Sequence, residues 1–198
     1  MGELSEFSVI KQYFSDLGSG QATVIGPGDD CAVLHLPHGK ELATSIDTMV
    51  EGVHFPVDSL PEDIGYRAIA VAASDLAAVG ASPMACTLSL SLPSLDRKWL
   101  SNFRKGLKSA SESFSLPVVG GDLTSGSIAI TISVYGCLPA GEALLRSGAE
   151  VGDLVLVSGT LGDAAAGLAI LENKWESEDA DRDNLIQKFL RPRPRFDL

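Results

Sequence analysis

The sequence predicts an α/β (α+β) fold: a mixed, largely antiparallel sheet with helices packed on one face, followed by the start of a second α/β domain. Two observations carry this. Residues 84–92 and 128–134 alternate apolar with small or polar side chains, the pattern of strands with two unlike faces. Residues 61–79 and 96–114 carry apolar residues at helical spacing, and helices interleaved with such strands give a layered fold. The 198 residues, 45% hydrophobic and 21% charged, provide enough chain for a packed core.

The elements follow in order. Residues 3–17 read as a short amphipathic helix on Phe7, Ile10, Tyr13, Phe14 and Leu17. A Gly26-Pro27-Gly28 turn leads into a strand at 31–36, and 41–47 reads as a second strand ending on Asp47. Pro61 opens the next helix, where proline is tolerated in the first turn. In the strand at 84–92, Met84, Cys86, Leu88, Leu90 and Leu92 face one way. The helix at 96–114 turns Trp99, Phe103, Leu107, Ala110 and Phe114 to one side. A short strand at 117–119 runs into Gly120-Gly121-Asp122, and Ile128, Ile130, Ile132 and Val134 share one face of the next strand. The texture changes after Leu138. A loop-rich stretch precedes a strand at 154–157, an alanine-rich helix at 162–171 and a charged end. This places a boundary near Pro139, with domains at 1–138 and 139–198. One strand and one or two helices bury little on their own, so the tail either packs on the first domain or is part of something longer.

The net charge of -11 excludes a basic nucleic-acid footprint, although an acidic chain still binds phosphates when cations stand between. No segment approaches the ~18 apolar residues of a membrane span, and the N-terminus lacks a signal-peptide core. Cys31, Cys86 and Cys137 form no CxxC pair and lie in apolar runs, which reads as buried small hydrophobes in a reducing cytoplasm.

Carboxylates recur at the ends of elements. Asp29 and Asp30 precede a strand, Asp47 ends one with Ser45 on the same face, and Asp122 follows two glycines. Asp75 falls within the apolar stripe of its helix, where a charge is costly unless it is paired or binds a metal. A bond to buried backbone or to an arginine is the other reading of Asp75. No lysine or arginine neighbours any of these in sequence, and converging carboxylates without counter-charge suggest magnesium. Gly120 and Gly121 would let backbone amides approach a phosphate. There is no GxxxxGK[ST] and no GxSxG. His35 and His38 read as surface or packing residues, whereas His54 lies on the segment leading out from Asp47.

The segments GPGDDCAVL, SIDTMVEGVHF, ASDLAAVGASP, GGDLTSG and LLRSGAEVGDLVLVSGTLGDAAAGLAIL resemble, in this order, the thiamine-monophosphate kinase family, within the ATP-binding superfamily of aminoimidazole ribonucleotide synthetase. The resemblance covers nearly the whole chain. It implies transfer of the γ-phosphoryl group of ATP to thiamine monophosphate, with several magnesium ions and no catalytic side chain beyond metal-assisted positioning. By the same resemblance the metal ligands are Asp30, Ser45, Asp47, Asp75 and Asp122, with Asp29 a weaker candidate. Gly121, Asp122 and Arg146 meet ATP, and His54 meets the substrate. The resemblance also implies a homodimer through N-terminal domains, and a longer chain than this one, so that the 198 residues form an N-terminal fragment with an incomplete site. Leu123 and Ala73 depart from residues common in that family. A non-catalytic nucleotide- or metal-binding module that acts by oligomerising, or another superfamily member, is the alternative.

Overall fold

The computed structural model describes residues 5–176 and 179–198. A helical N-terminal segment comes first. A single α turn, α1 (Glu6–Val9), starts at a reciprocal cap in which Ser8 N–H donates to the Ser5 hydroxyl and Ser5 N–H to the Ser8 hydroxyl. The segment widens into a π turn over Ile10–Phe14 and tightens to 3-10 over Ser15–Gly18. The predicted helix is therefore real but changes type twice. Residues 3 and 4, where it was expected to begin, lie outside the described residues. Arg104 pairs with Asp16 and pins the end of this segment to a later helix.

A two-stranded ribbon follows, β1 (Thr23–Ile25) against β2 (Val33–Leu34), antiparallel. The expected strand at 31–36 is thus reduced to two residues, and its partner β1 went unread. The main sheet has four strands: β3 (Lys40–Val50), β4 (Ser82–Leu92), β5 (Val118–Ser125) and β6 (Ala129–Pro139). Their spatial order is β3-β6-β4-β5. The β3–β6 and β4–β6 pairs are antiparallel, and only β4–β5 is parallel. A parallel pair needs a crossover, and the helix α3 (Arg97–Phe114) supplies it. The mixed, largely antiparallel sheet is the one expected.

Helix α2 (Pro61–Ala78) joins β3 to β4 and packs with α3 on one side of the sheet. Ile130, Ile132 and Val134 of β6 are fully buried there, with Leu90 of β4, Ile69 and Leu76 of α2 and Phe103 and Leu107 of α3. The two helices meet backbone to backbone. A Cβ on Gly106 would stand 1.8 Å from the Glu62 carbonyl oxygen, and one on Gly65 2.4 Å from that of Phe103. Burial pushes the Cys86 thiol up to about 12, so it is an inert packing group, as expected, and Cys137 is buried too. Cys31 corrects that expectation. It is exposed, because it sits in the bend after Asp29-Asp30, before the ribbon strand begins.

Beyond Pro139 the described residues contain two helices, α4 (Asp163–Leu171) and α5 (Asp179–Leu190), and no strand. The strand expected at 154–157 is absent. Val155 is 93% exposed and its neighbours nearly as much, because no free strand edge lies alongside to accept the ladder bonds. α5 and the residues after it return to α2. Arg191 donates from Nε to Asp63 Oδ1 at 2.9 Å and from NH2 to Glu62 Oε1 at 3.0 Å, and its guanidinium lies over the Tyr66 ring. Arg67 donates to the Phe189 carbonyl oxygen and stacks on the Phe189 ring at 4.0 Å.

Candidate active site

Two groups of residues stand apart on this frame. The first lies where α2 passes over the edge strand β3. Ser45 and Asp47 alternate with Thr44, Ile46 and Thr48 along β3, and so point to the α2 side. The Ser45 hydroxyl donates to Asp75 Oδ2 at 2.5 Å. Asp75 is exposed, which corrects its placement in the apolar stripe. Leu76, Ala72 and Ala73 take the buried positions, and Asp75 overhangs β3, the end strand of the sheet. Its partner is neither backbone nor arginine but a hydroxyl.

Asp47 is held above the ordinary carboxylate range, first by burial and then by the like charge of Asp75, with His54 acting in the opposite direction. His54 is exposed on the turn after β3. Val50 N–H donates to its Nδ1 at 3.0 Å, which leaves the ring proton on Nε2. A hydroxyl and two mutually repelling carboxylates, all oxygen ligands, make a set that suits a hard divalent cation. Among the described residues no three or more His, Cys, Asp or Glu side chains come close enough to hold a metal by themselves.

The second group lines a cleft of about 1060 Å³. Asp29, Asp30 and Cys31 form part of its wall, together with Gly120, Gly121 and Asp122 of β5. Asp29 Oδ1 accepts from Asp30 N–H at 2.8 Å, so one carboxylate closes the turn and the other is left to the solvent. Gly121 has φ 156, and a Cβ there would stand 1.8 Å from the Leu88 carbonyl oxygen. Only glycine lets β5 lie this close to β4.

Strand register shows how the groups are related. Asp122 lies in a row with Ser89, Thr131 and Thr48, whereas Asp47 lies in the adjacent row with Ile132, Leu88 and Gly121. Adjacent rows face opposite sides, and three strand spacings separate β5 from β3, about 14 Å. The fold therefore brings Ser45, Asp47, Asp75 and His54 together, and Asp29, Asp30, Gly121 and Asp122 together, but does not join the two sets. Arg146 belongs to neither. It is exposed on the loop after β6, near the C-terminal end of α2, where Leu144 N–H donates to the Val79 carbonyl at 3.1 Å. His35 and His38 are exposed, as expected.

Residues 28–138 match the family described as AIR synthase related protein, N-terminal domain. The chain belongs to that family. The match spans the turn before Asp29 through β6, and so takes in both groups of this site but not Arg146, which lies outside both. A curated thiamine-monophosphate kinase from Escherichia coli is 47% identical over 193 residues, which cover 96% of this chain and 59% of that protein. The crystal structure of a thiamine-monophosphate kinase from Stenotrophomonas maltophilia superposes with a TM-score of 0.86 at 37% identity, over 98% of this chain and 63% of that one. A structure described as AaThiL complexed with AMPPCP and TMP reaches a TM-score of 0.75 at 36% identity, over 100% and 63%. The chain thus spans about three-fifths of the length of the relatives it matches.

Sequence reasoning missed three parts of this family member. Phe7 was read as part of an apolar helix face, yet it is 82% exposed at the cleft. Thr87 and Tyr135 line the same cleft from the sheet, with their hydroxyls 3.4 Å apart. The Arg191 pair with Glu62 and Asp63 joins residues some 130 apart and left no local signal.

No helix among the described residues is long and apolar enough to cross a membrane.

Proposed function

We propose that this chain acts in the ATP-dependent phosphorylation of thiamine monophosphate to thiamine diphosphate, by direct transfer of the γ-phosphoryl group. The observation that carries the reading is 47% identity, over nearly the whole chain, to curated thiamine-monophosphate kinases. The facing pair Asp47 and Asp75 supports it, since two carboxylates kept together by a fold are accounted for by a ligand that needs both.

In this reading Asp30, Ser45, Asp47, Asp75 and Asp122 hold magnesium, with Asp29 in support. Bound magnesium would supply neutralisation of the phosphate charges. The chain's own part is positioning. The Ser45–Asp75 bond keeps the hydroxyl and carboxylate aimed together, and the alternation of β3 puts Asp47 on the same side as Ser45. The acceptor is a phosphate oxygen, already ionised at neutral pH, so no strong general base is called for. Gly121 and Asp122 take the nucleotide phosphates, Arg146 contributes to ATP binding, and His54 meets the acceptor through Nε2–H.

The N-terminal unit, residues 1–138, is the ATP- and magnesium-binding domain, and residues 139–198 belong to the next. The protein works in the cytoplasm as a homodimer. Leu42 and Ile46, 53% and 66% exposed on the outer face of edge strand β3, support a pairing through the N-terminal domain.

A non-catalytic binding module is favoured by one observation, the separation of Asp47 and Asp122 across the sheet. An end-point assay decides between them. The 198-residue chain and the full open reading frame are each supplied with magnesium, ATP and thiamine monophosphate, and the products are separated. Thiamine diphosphate and ADP in equal amounts support the kinase. Binding of both substrates without product supports the module.

A further inference from the structure

Helix α2 ends on a turn that leaves one carbonyl for a partner from elsewhere in the chain. Ala81 N–H donates to the Leu76 carbonyl at 2.9 Å and Gly80 N–H to that of Ala77 at 3.1 Å, with Gly80 left-handed at φ 74. This Schellman ending does not use the Val79 carbonyl. Leu144 N–H, from the loop after β6, donates to it at 3.1 Å. The Leu144 side chain lies against Gly80, where a Cβ would stand 3.5 Å from Leu144 Cδ1.

The loop is held on both sides of this seat. Before it, Gly141 N–H donates to Glu41 Oε2 at 3.2 Å and Glu142 N–H to the Pro139 carbonyl at 3.1 Å, which keeps the start of the loop beside β3. After it, Gly148 N–H donates to the Leu145 carbonyl at 3.0 Å and closes a turn with Arg146 in second position. Arg146 is two residues from Leu144, a chain reach of about 7 Å. On the helix side, Val79 N–H donates to the Asp75 carbonyl at 3.3 Å, so Asp75 lies one turn of α2 from the seat. The C-terminal end of a helix also favours a cation nearby.

We propose that Leu144 is a positioning residue: bonded to Val79 and seated on Gly80, it fixes the Arg146 turn on the end of the helix that carries Asp75. This rests on the kinase reading above, which puts Arg146 on ATP and Asp75 on magnesium. The seat then sets one spacing between the nucleotide's arginine and a metal carboxylate. Phosphoryl transfer depends on such spacing, because alignment and charge neutralisation supply most of its catalysis.

The test uses the full open reading frame. Leu144→Ala keeps the N–H and removes the side chain from Gly80. It is expected to raise KM for ATP about five-fold to ten-fold, leaving KM for thiamine monophosphate within about two-fold. Leu144→Met, which still reaches Gly80, restores the ATP KM. In an Arg146→Ala background Leu144→Ala adds less than about two-fold, because a residue that acts through Arg146 then has nothing to position. Leu144 is 64% exposed, so its truncation leaves the fold intact, and unchanged melting of Leu144→Ala checks this. An unchanged ATP KM in Leu144→Ala overturns the proposal. So does a loss that Leu144→Met does not restore, or one of equal size with and without Arg146. If the wild type makes no thiamine diphosphate, the kinase reading fails separately. Titration of the same proteins with magnesium AMPPCP then decides the seat. Several-fold weaker binding to Leu144→Ala only where Arg146 is present upholds it. Equal binding, equal loss in both backgrounds, or no binding to the wild type overturns it.

Discussion

The Ser45 hydroxyl donates to Asp75 Oδ2 at 2.5 Å and ties the edge strand β3 to helix α2 across 30 residues of sequence. It joins two of the elements that carry the proposed metal ligands. Removing it has a definite expected result. Ser45→Ala should lower turnover of the full-length enzyme by about ten-fold to a hundred-fold, and Asp75→Asn by more, as misplacement of a positioning group does. Steady-state rates across a magnesium titration check this. Full activity of Asp75→Asn at every magnesium concentration would remove Asp75 from the ligand set.

Asp47 makes a prediction about stability opposite in sign to the one about activity. Its folded pKa is raised above the ordinary 3.8. Between that value and the raised one the folded state binds more protons than the unfolded state, so stability falls as pH rises through the folded pKa. Asp47→Asn should therefore melt slightly higher than wild type at pH 7 without divalent cations, and the gap should close as pH falls toward 3.8. Thermal melts over a pH series measure it. Added magnesium should raise the Tm of the wild type more than that of the variant.

Gly106 and Gly65 let α2 and α3 touch at their backbones. A methyl group at position 106 meets a carbonyl oxygen, which no side-chain rotation relieves, so Gly106→Ala forces the helices apart. The expected loss is about 1–3 kcal/mol or more. Denaturant unfolding gives the value, and a variant as stable as wild type would show that the helices slide freely.

Arg191 holds the segment after α5 on α2 by two charged hydrogen bonds, one to Asp63, which is buried. Arg191→Met should cost about 2–3 kcal/mol, because it leaves the Asp63 carboxylate without its partner. The double variant Arg191→Met with Asp63→Asn should recover part of that loss. Limited proteolysis should cut the single variant first near residues 189–195.

The fold and the site were legible to different degrees. Alternation in 84–92 and 128–134 was read correctly, because those strands lie inside the sheet with one face against helices and must alternate. The strand at 154–157 was misread. Its apolar run has strand composition, but a strand also needs an edge to bond to, and no local pattern carries that. Asp29 and Asp30 were picked out because they stand beside a turn, where local sequence is informative. Asp47 and Asp122 were expected at strand ends, but β3 runs on to Val50 and β5 takes in Gly120-Gly121-Asp122, so both lie inside their strands. Asp75 was chosen on a wrong premise, since helical periodicity does not say that the sheet beneath α2 ends at β3.

By itself the sequence determined the alternating strands, the two packed helices and which carboxylates to compare. Each of these follows from spacing along one stretch of chain. The tertiary structure decided which carboxylates meet. Ser45, Asp47 and Asp75 come together because α2 crosses the edge strand, and Asp122 is kept from them because pleating turns its row to the opposite face. Phe7 and Arg191 belong to the same class. Their placement depends on surfaces that come from distant parts of the chain, and such surfaces exist only after the layers have packed.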